Sequence, residues 1–417
     1  MASGAGHPRW VAGFVSVLLL VLAGCGGTEI NPPKPPGNSI DQRAAAAAGL
    51  LQQLGHGLLD GNRAGVLALA APDKESRAAV AAIYTNARSL RLSHIDFRYV
   101  DENQGSLQQR VTKAYGDRAW AADVVASWRI PTYDPGDTHL ATRLTFVATD
   151  KGVRLVSAGG GGQRGALWLD GPLEVARGVD TLVLVAAGSP TGYERMARQA
   201  VVDVRKELHL WRGRLVIEVP GTERELESVL GARSGEYSAI AAVTTTVDGT
   251  LVPGAPVHVF VNPGVFDGLG PRGSQVVLSH EATHVATNAT FTSMPVWLLE
   301  GFADFVALAH SHVPFATAAS QILKHVRDKG APNHLPTAGE LDPSATALGA
   351  TYEEAWTVCR YLAKTYGDPK MVAFYWAVDK GSSTQQAFRD VLGTTQPTFV
   401  RGWRKNLIAL AGGQGGV

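Results

Sequence analysis

A segment in the second half of the chain reads Val276-Val277-Leu278-Ser279-His280-Glu281-Ala282-Thr283-His284-Val285-Ala286. Its two histidines are four residues apart, so on a helix both imidazoles project from one face and can bind the same ion. Glu281 is rotated by about 100° from His280 around the helix axis, which keeps its carboxylate out of the ligand set but near a metal-bound water. The segment therefore predicts a helix that carries a catalytic zinc site.

A second segment can supply a third ligand. It reads Trp297-Leu298-Leu299-Glu300-Gly301-Phe302-Ala303-Asp304-Phe305 and follows Pro295, a residue that favours a helix start. Glu300 can complete a set of three protein ligands from an adjacent antiparallel helix, which leaves the fourth zinc position to water. Asp304 is one turn further along the same face, where its carboxylate can accept a hydrogen bond from a ligand histidine and fix the tautomer of that ring.

These two segments resemble the gluzincin metallopeptidases, especially the bacterial peptidase-MA-like group, whose pattern is His-Glu-x-x-His followed by Trp-Leu-x-Glu-Gly-x-Ala. The resemblance implies that Zn²⁺ is held by His280, His284 and Glu300, with Asp304 supporting a ligand. It also implies hydrolysis of a peptide or protein substrate, with Glu281 as the general base that activates a zinc-bound water. A metzincin is excluded, because that class needs a glycine and a third histidine after the motif.

Two further features gain meaning from this resemblance, which extends over residues 181–410. Some gluzincins place a tyrosine or histidine that stabilises the oxyanion well downstream of the ligands, and Tyr352 matches that place; the alternative is a packed aromatic residue. The run Val257–Asn262 alternates like a strand before the metal helix. It is either the strand that pairs with an extended substrate or an ordinary core strand.

The chain pattern predicts an α+β fold with two folded units. Residues 40–158 begin with helices and continue with runs of period two, which predict an antiparallel sheet. The expected strands are 91–100, 109–115, 119–130, 140–149 and 153–157. This order is similar to the nuclear-transport-factor-like cone, which often serves as an accessory domain that holds a ligand.

A glycine run, Gly159-Gly160-Gly161-Gly162, is the clearest break in composition and predicts a linker over residues 159–172. It lacks the Lys-Ser/Thr pair of a phosphate-binding loop. The metallopeptidase domain is expected over residues 173–417, as a small sheet followed by mostly helical chain. Its predicted strands include 181–186, 214–219, 237–244 and 257–262, and its predicted helices include 193–211, 273–288, 295–310, 315–329, 352–366, 370–378, 383–392 and 397–410.

The N-terminus predicts export. An apolar run, Val11–Leu22, is too short to span a bilayer comfortably and indicates a signal peptide over residues 1–24. The run ends in Leu22-Ala23-Gly24-Cys25, which resembles the lipobox of bacterial lipoproteins and implies a lipid on Cys25; a plain secretory signal is the alternative. The Pro- and Gly-rich residues 25–39 then form a tether, so we expect a protein anchored to the cell membrane on its extracytoplasmic face.

Composition narrows the remaining functional classes. Hydrophobic residues make up 45% of the chain and charged residues 18%, as in globular proteins, and the net charge of +1 argues against a nucleic-acid partner. The sequence does not indicate an oligomeric state. The main hypothesis is a lipid-anchored zinc metallopeptidase. The alternative is a non-catalytic envelope lipoprotein with a structural zinc site and an N-terminal domain that binds a ligand or partner.

Overall fold

The structure is a computed structural model that describes residues 40–342 and 345–413. The predicted signal peptide, the predicted tether and the predicted lipidation site Cys25 lie outside the described residues. Among the helices that are described, none is both long and apolar enough to cross a membrane. The described chain from residue 40 onward belongs to a single compact unit.

The first part of the chain forms helices and then an antiparallel sheet of four strands in the order β1-β2-β3-β4. The Asp73 side chain accepts from the Ser76 backbone N–H and so caps α3, while Arg91 ends this helix in the left-handed conformation. The elements are α1 (Ile40–Leu59), α2 (Arg63–Ala68), α3 (Lys74–Leu90), β1 (Ser93–Asn103), α4 (Gln109–Tyr115), β2 (Ala119–Arg129), β3 (Thr138–Thr149) and β4 (Gly152–Ala158).

Four of the five strands predicted for this part are confirmed, and one is wrong. Residues 109–115 form the helix α4 rather than a strand, followed by a 3-10 turn at Gly116–Arg118. The segment contains Val, Thr and Tyr, which favour strands, but it is short enough for contacts elsewhere to decide its conformation. Val111 is fully buried in a small apolar cluster with Val147 and Val156, which anchors one face of α4 to the sheet.

The middle of the chain builds a second sheet of five strands in the order β5-β6-β7-β9-β8. The pairs β6–β7 and β7–β9 are parallel, whereas β5–β6 and β8–β9 are antiparallel. The expected strands at 181–186, 214–219 and 257–262 are present, and the strand β5 had not been predicted. The elements are α5 (Leu167–Asp170), β5 (Glu174–Arg177), β6 (Thr181–Val185), α6 (Thr191–Glu207), β7 (Leu215–Val219), α7 (Glu223–Leu230), β8 (Ala242–Thr246) and β9 (Val257–Val261).

The second sheet lies between two hydrophobic cores. Along β6, Val183 and Val185 belong to the core shared with the C-terminal helices, whereas Leu182 and Leu184 belong to the core shared with the first sheet. Because side chains alternate between the two faces of a strand, a strand buried on both faces needs a continuous apolar run. This explains why β6 is almost wholly aliphatic.

The region predicted as a linker contributes to that packing. Gly159, Gly160, Gly161 and Gly162 all have positive φ angles and form an irregular turn after β4. The short helix α5 follows within the same predicted region, and its Trp168 is buried with ring contacts to residues of the first sheet. The glycine-rich turn therefore leads directly into an element of the core.

Polar contacts also join the two sheets. His258 on β9 is buried, and its Nδ1 atom lies 2.7 Å from Oε1 of Glu218 on β7. Its Nε2 atom lies 3.0 Å from Oδ1 of Asp134, in the connection between β2 and β3. The Tyr133 hydroxyl of the same connection donates to the carbonyl oxygens of Gly178 and Thr181. Buried charges at this junction are thus paired.

The last part of the chain is helical, as predicted, and covers one face of the second sheet. Its helices are α8 (Pro263–Phe266), α9 (Gly270–Thr287), α10 (Val296–Ala309), α11 (Phe315–Ala318), α12 (Ser320–Lys329), α13 (Leu348–Tyr366), α14 (Asp368–Asp379), α15 (Thr384–Asp390) and α16 (Gln396–Ala411). Helices α9, α10 and α13 pack side by side and frame the candidate site described below.

Candidate metal centre and its cleft

The helix α9 brings its two histidines together. It has Pro271 in its first turn and ends at Asn288, whose left-handed conformation lets its N–H bond back to the last carbonyl groups. The rings of His280 and His284 lie with their centroids 4.6 Å apart and their planes at 84°. Their Nε2 atoms are 3.0 Å apart. Both nitrogen atoms therefore point to one place beside the helix.

Glu300 on α10 completes the convergence. Its Oε2 atom lies 3.2 Å from Nε2 of His280 and 3.5 Å from Nε2 of His284. Donors at about 2.0 Å from a tetrahedral zinc ion are separated from one another by roughly 3.3 Å, so these spacings fit a zinc ligand set. Among the described residues, this is the group of His, Cys, Asp and Glu side chains whose ligand atoms come close enough to hold one metal ion.

Asp304 orients the first histidine. Its Oδ1 atom lies 2.8 Å from Nδ1 of His280, one helical turn after Glu300 on α10. With the proton of the ring on Nδ1 and donated to the carboxylate, the lone pair on Nε2 is free to bind a metal. The structure thus places all three predicted ligands and the predicted supporting carboxylate in one cluster.

The electrostatics of the cluster are those of an anionic site that attracts a cation. Burial alone would lower the pKa of His280, but the charge of Asp304 and hydrogen bonds with Asp304 and Glu300 raise it well above its usual value. Burial would raise the pKa of Glu300, but the charge of His284 and hydrogen bonds with both histidines lower it strongly. A bound dication would replace the histidine proton as the positive charge that balances these carboxylates.

Glu281 contacts the second sheet and lines the same cleft as the ligand cluster. Only 7% of the residue is exposed, and its Oε2 atom accepts a hydrogen bond of 2.6 Å from the Thr244 hydroxyl on β8. The same hydroxyl lies 3.1 Å from the Glu281 carbonyl oxygen. The predicted general base is therefore held in a defined position between α9 and β8.

A cleft with a volume of about 610 Å³ opens over the cluster. It is lined by the ligands, by Glu281 and by Tyr352, which lies in the second turn of α13. Burial raises the pKa of the Tyr352 phenol, and the charges of Glu300, Asp304 and Glu281 raise it further. The phenol consequently stays protonated at neutral pH and can donate a hydrogen bond in the cleft.

The strand that borders the cleft is β8, not β9. The strand β9 pairs with both β7 and β8, so it is an internal strand, and of the two alternatives for Val257–Asn262 the core strand is correct. In contrast, β8 is the last strand of the sheet, and residues 240–244 line the cleft. An edge strand keeps unpaired backbone groups that can bind an extended peptide.

The cleft residues that were not predicted from the sequence include Thr244, Gln321 and Glu353. Glu353 on α13 accepts hydrogen bonds from the backbone N–H groups of Gln321 and Ile322, at 2.7 and 2.8 Å, and thereby caps the start of α12. The only sequence signal for Glu353 is its position next to Tyr352. Thr244 reaches Glu281 across a long sequence separation, and no local pattern reveals such a contact.

In comparisons with known proteins, no family model matches this chain and no curated protein matches it.

Proposed function

We propose that this protein is a zinc metallopeptidase with a gluzincin-like catalytic region. The proposal rests on one observation above all, the convergence of His280, His284 and Glu300 at spacings that suit a tetrahedral zinc. A bound zinc ion supplies Lewis-acid polarisation of a carbonyl oxygen and lowers the pKa of a coordinated water. Residues of the chain provide the general base, the hydrogen-bond donor to the oxyanion and the strand edge that pairs with the substrate.

Glu281 is the general base in this proposal. Its carboxylate is held by Thr244 at the border of the cleft, where it can take the proton of the attacking water and later pass it to the leaving amine. Tyr352 donates from α13 to the oxygen that becomes negative. The backbone edge of β8 aligns an extended peptide in the cleft.

The finer fold assignment belongs to the same proposal. We propose that the first sheet with α1 and α3 is a nuclear-transport-factor-like cone and that the second sheet with the C-terminal helices is a gluzincin domain. We propose further that a lipid on Cys25 anchors the protein on the extracytoplasmic face of the cell membrane. This part rests on the sequence of residues 1–39 alone, especially on the lipobox-like end of the apolar run.

The deciding experiment measures zinc content and cleavage of a denatured protein substrate for purified full-length chain. Wild type is compared with Glu300→Ala, with Glu281→Gln and with Glu174→Gln, an exposed carboxylate on β5 that serves as control. We expect stoichiometric zinc and chelator-sensitive cleavage in wild type and control, loss of zinc in Glu300→Ala, and zinc without cleavage in Glu281→Gln.

Other outcomes have clear meanings. Zinc in the wild-type protein without cleavage of any substrate supports the alternative, an envelope lipoprotein with a structural zinc site. Absence of zinc from the wild-type protein contradicts the proposed zinc site and therefore the proposed function.

A further inference from the structure

The ionisable side chains that line the cleft are predominantly acidic. Its described lining includes four carboxylates, from Glu281, Glu300, Asp304 and Glu353, and it includes no lysine or arginine. Two of these groups lie on neighbouring helices, Asp304 on α10 and Glu353 on α13. With a dication bound and both ligand histidines neutral, the cleft still carries excess negative charge.

This charge distribution limits which part of a polypeptide the cleft can hold. A free C-terminal carboxylate in a protein site is normally bound by arginine or lysine, and here the lining offers neither. An acidic side chain of the substrate next to the scissile bond is likewise repelled by the carboxylates of the cleft. Removal of the last residue from the C-terminal end of a polypeptide is therefore disfavoured in this cleft.

The backbone edge favours an extended stretch of chain. Residues 240–244 of the β8 region line the cleft, so a peptide paired with them lies extended along it. Apolar side chains supply much of the remaining wall, among them Val243, Val277 and Leu299. These surfaces suit apolar side chains of the substrate.

From these observations we infer the substrate class of the proposed peptidase. The cleft binds an internal, extended stretch of polypeptide whose residues beside the scissile bond are apolar or basic, and it discriminates against acidic residues and against a free C-terminal carboxylate. Glu353 sets this charge preference on the α13 side. The inference rests on the proposed function, because it concerns the same cleft.

The test uses peptides that are blocked at both ends, share one apolar core and carry Lys, Gln or Glu beside the cleaved bond. A fourth peptide has Gln at that position and a free carboxylate on the residue that follows the cleaved bond. For zinc-loaded full-length protein we expect kcat/KM for the Lys and Gln peptides to exceed that for the Glu peptide by roughly tenfold or more. The difference should shrink as salt is added, because the cleft is open to solvent.

Two variants link the preference to its cause. Glu353→Gln removes one negative charge, and Gln321→Lys adds an ammonium group at an exposed cleft residue that contacts Glu353. Each should raise kcat/KM for the Glu peptide relative to the Lys peptide. Gln385→Lys, an exposed residue of α15 that does not line the cleft, makes the same charge change and should leave the ratio unaltered. Thermal unfolding curves show whether Glu353→Gln keeps the fold, since this residue also caps α12.

The outcomes distinguish failure of the inferred substrate preference from failure of the proposed peptidase function. Cleavage with equal or better use of the Glu peptide, or of the peptide with the free carboxylate, overturns the inference and leaves the peptidase intact. No cleavage of any peptide by the zinc-loaded protein overturns the proposed function and the inference together.

Discussion

The Thr244 hydroxyl on β8 donates a hydrogen bond of 2.6 Å to Oε2 of Glu281 on α9. This contact ties the candidate base to the strand whose free edge borders the cleft. A substrate aligned by that edge is therefore aligned with the carboxylate as well, because one side chain connects the two. No local pattern in the sequence reveals this link, because the two residues are 37 positions apart.

The first prediction concerns this hydroxyl. Thr244→Val keeps the shape of the side chain but removes the donor, and we expect kcat to fall by about tenfold or more, since hydrogen bonds to charged groups contribute roughly 1.5–3 kcal/mol. Zinc content should not change. Thr244→Ser should restore most of the activity, and Thr245→Val, on the other face of the strand, is the matched control. Wild-type kcat in Thr244→Val would show that Glu281 needs no such support.

A second prediction concerns Tyr352. Tyr352→Phe removes the only donor that this side chain can offer to a developing oxyanion, so kcat should fall by about 10²–10³-fold while zinc content stays the same. The control is Tyr361→Phe, on the same helix but against Phe399 rather than in the cleft. Steady-state kinetics with one blocked peptide suffice. Equal effects of the two variants would mean that Tyr352 only packs.

The candidate metal ligands could be predicted from the sequence because the geometry within each helix is local. A separation of four residues on a helix is enough to pair His280 with His284, and the helix start at Pro295 is enough to place Glu300 and Asp304 on one face. These relations depend on the regular geometry of a helix and on little else. The structure brings all four side chains together, as the pattern predicts.

The order of the strands was not accessible in the same way. The strand β8 precedes β9 in the chain, but in the sheet β9 pairs with β7 and β8 is the outermost strand. Which of these two strands borders the cleft therefore depends on which of them pairs with β7. Burial also decided the helix α4, where Val111 packs into a small cluster that no short window of sequence reveals. Contacts between distant segments determined both features.

A third prediction tests the hydrogen bond from His280 to Asp304. Asp304→Asn keeps an oxygen acceptor but removes the charge that orients the ring, so zinc affinity should fall by about 10- to 100-fold. Competition with a chromogenic chelator measures the dissociation constant directly. Asp328→Asn, a surface carboxylate on α12, should bind zinc like the wild type. Unaltered affinity in Asp304→Asn would remove this carboxylate from the metal site.

A fourth prediction concerns the close approach of α10 and α13 at Gly301. A Cβ atom at this position would lie 2.4 Å from the Ala355 carbonyl oxygen and 3.0 Å from the Cys359 sulfur atom. Gly301→Ala should therefore lower the free energy of unfolding by about 1–3 kcal/mol, as overpacking does. In contrast, Gly49→Ala in α1 meets nothing within 4 Å and should stabilise the protein by about 1 kcal/mol. Chemical denaturation measures both values, and a neutral Gly301→Ala would refute the close packing.

The last prediction uses the buried His258 between Asp134 and Glu218. Burial lowers its pKa, but hydrogen bonds and charge from the two carboxylates outweigh burial and raise the pKa from 6.5 to about 9. A histidine whose pKa is higher in the folded state contributes stability that is fully present below pH 6.5 or so and is lost as the pH rises through about 9.

The free energy of unfolding should therefore decline between these pH values, by an amount on the order of 3 kcal/mol for this group. His258→Gln cannot titrate, so the variant should be less stable than the wild type at pH 6 but should lack this part of the decline. Denaturation curves measured at several pH values for both proteins give the comparison. Parallel curves would show that His258 is neutral in the folded protein.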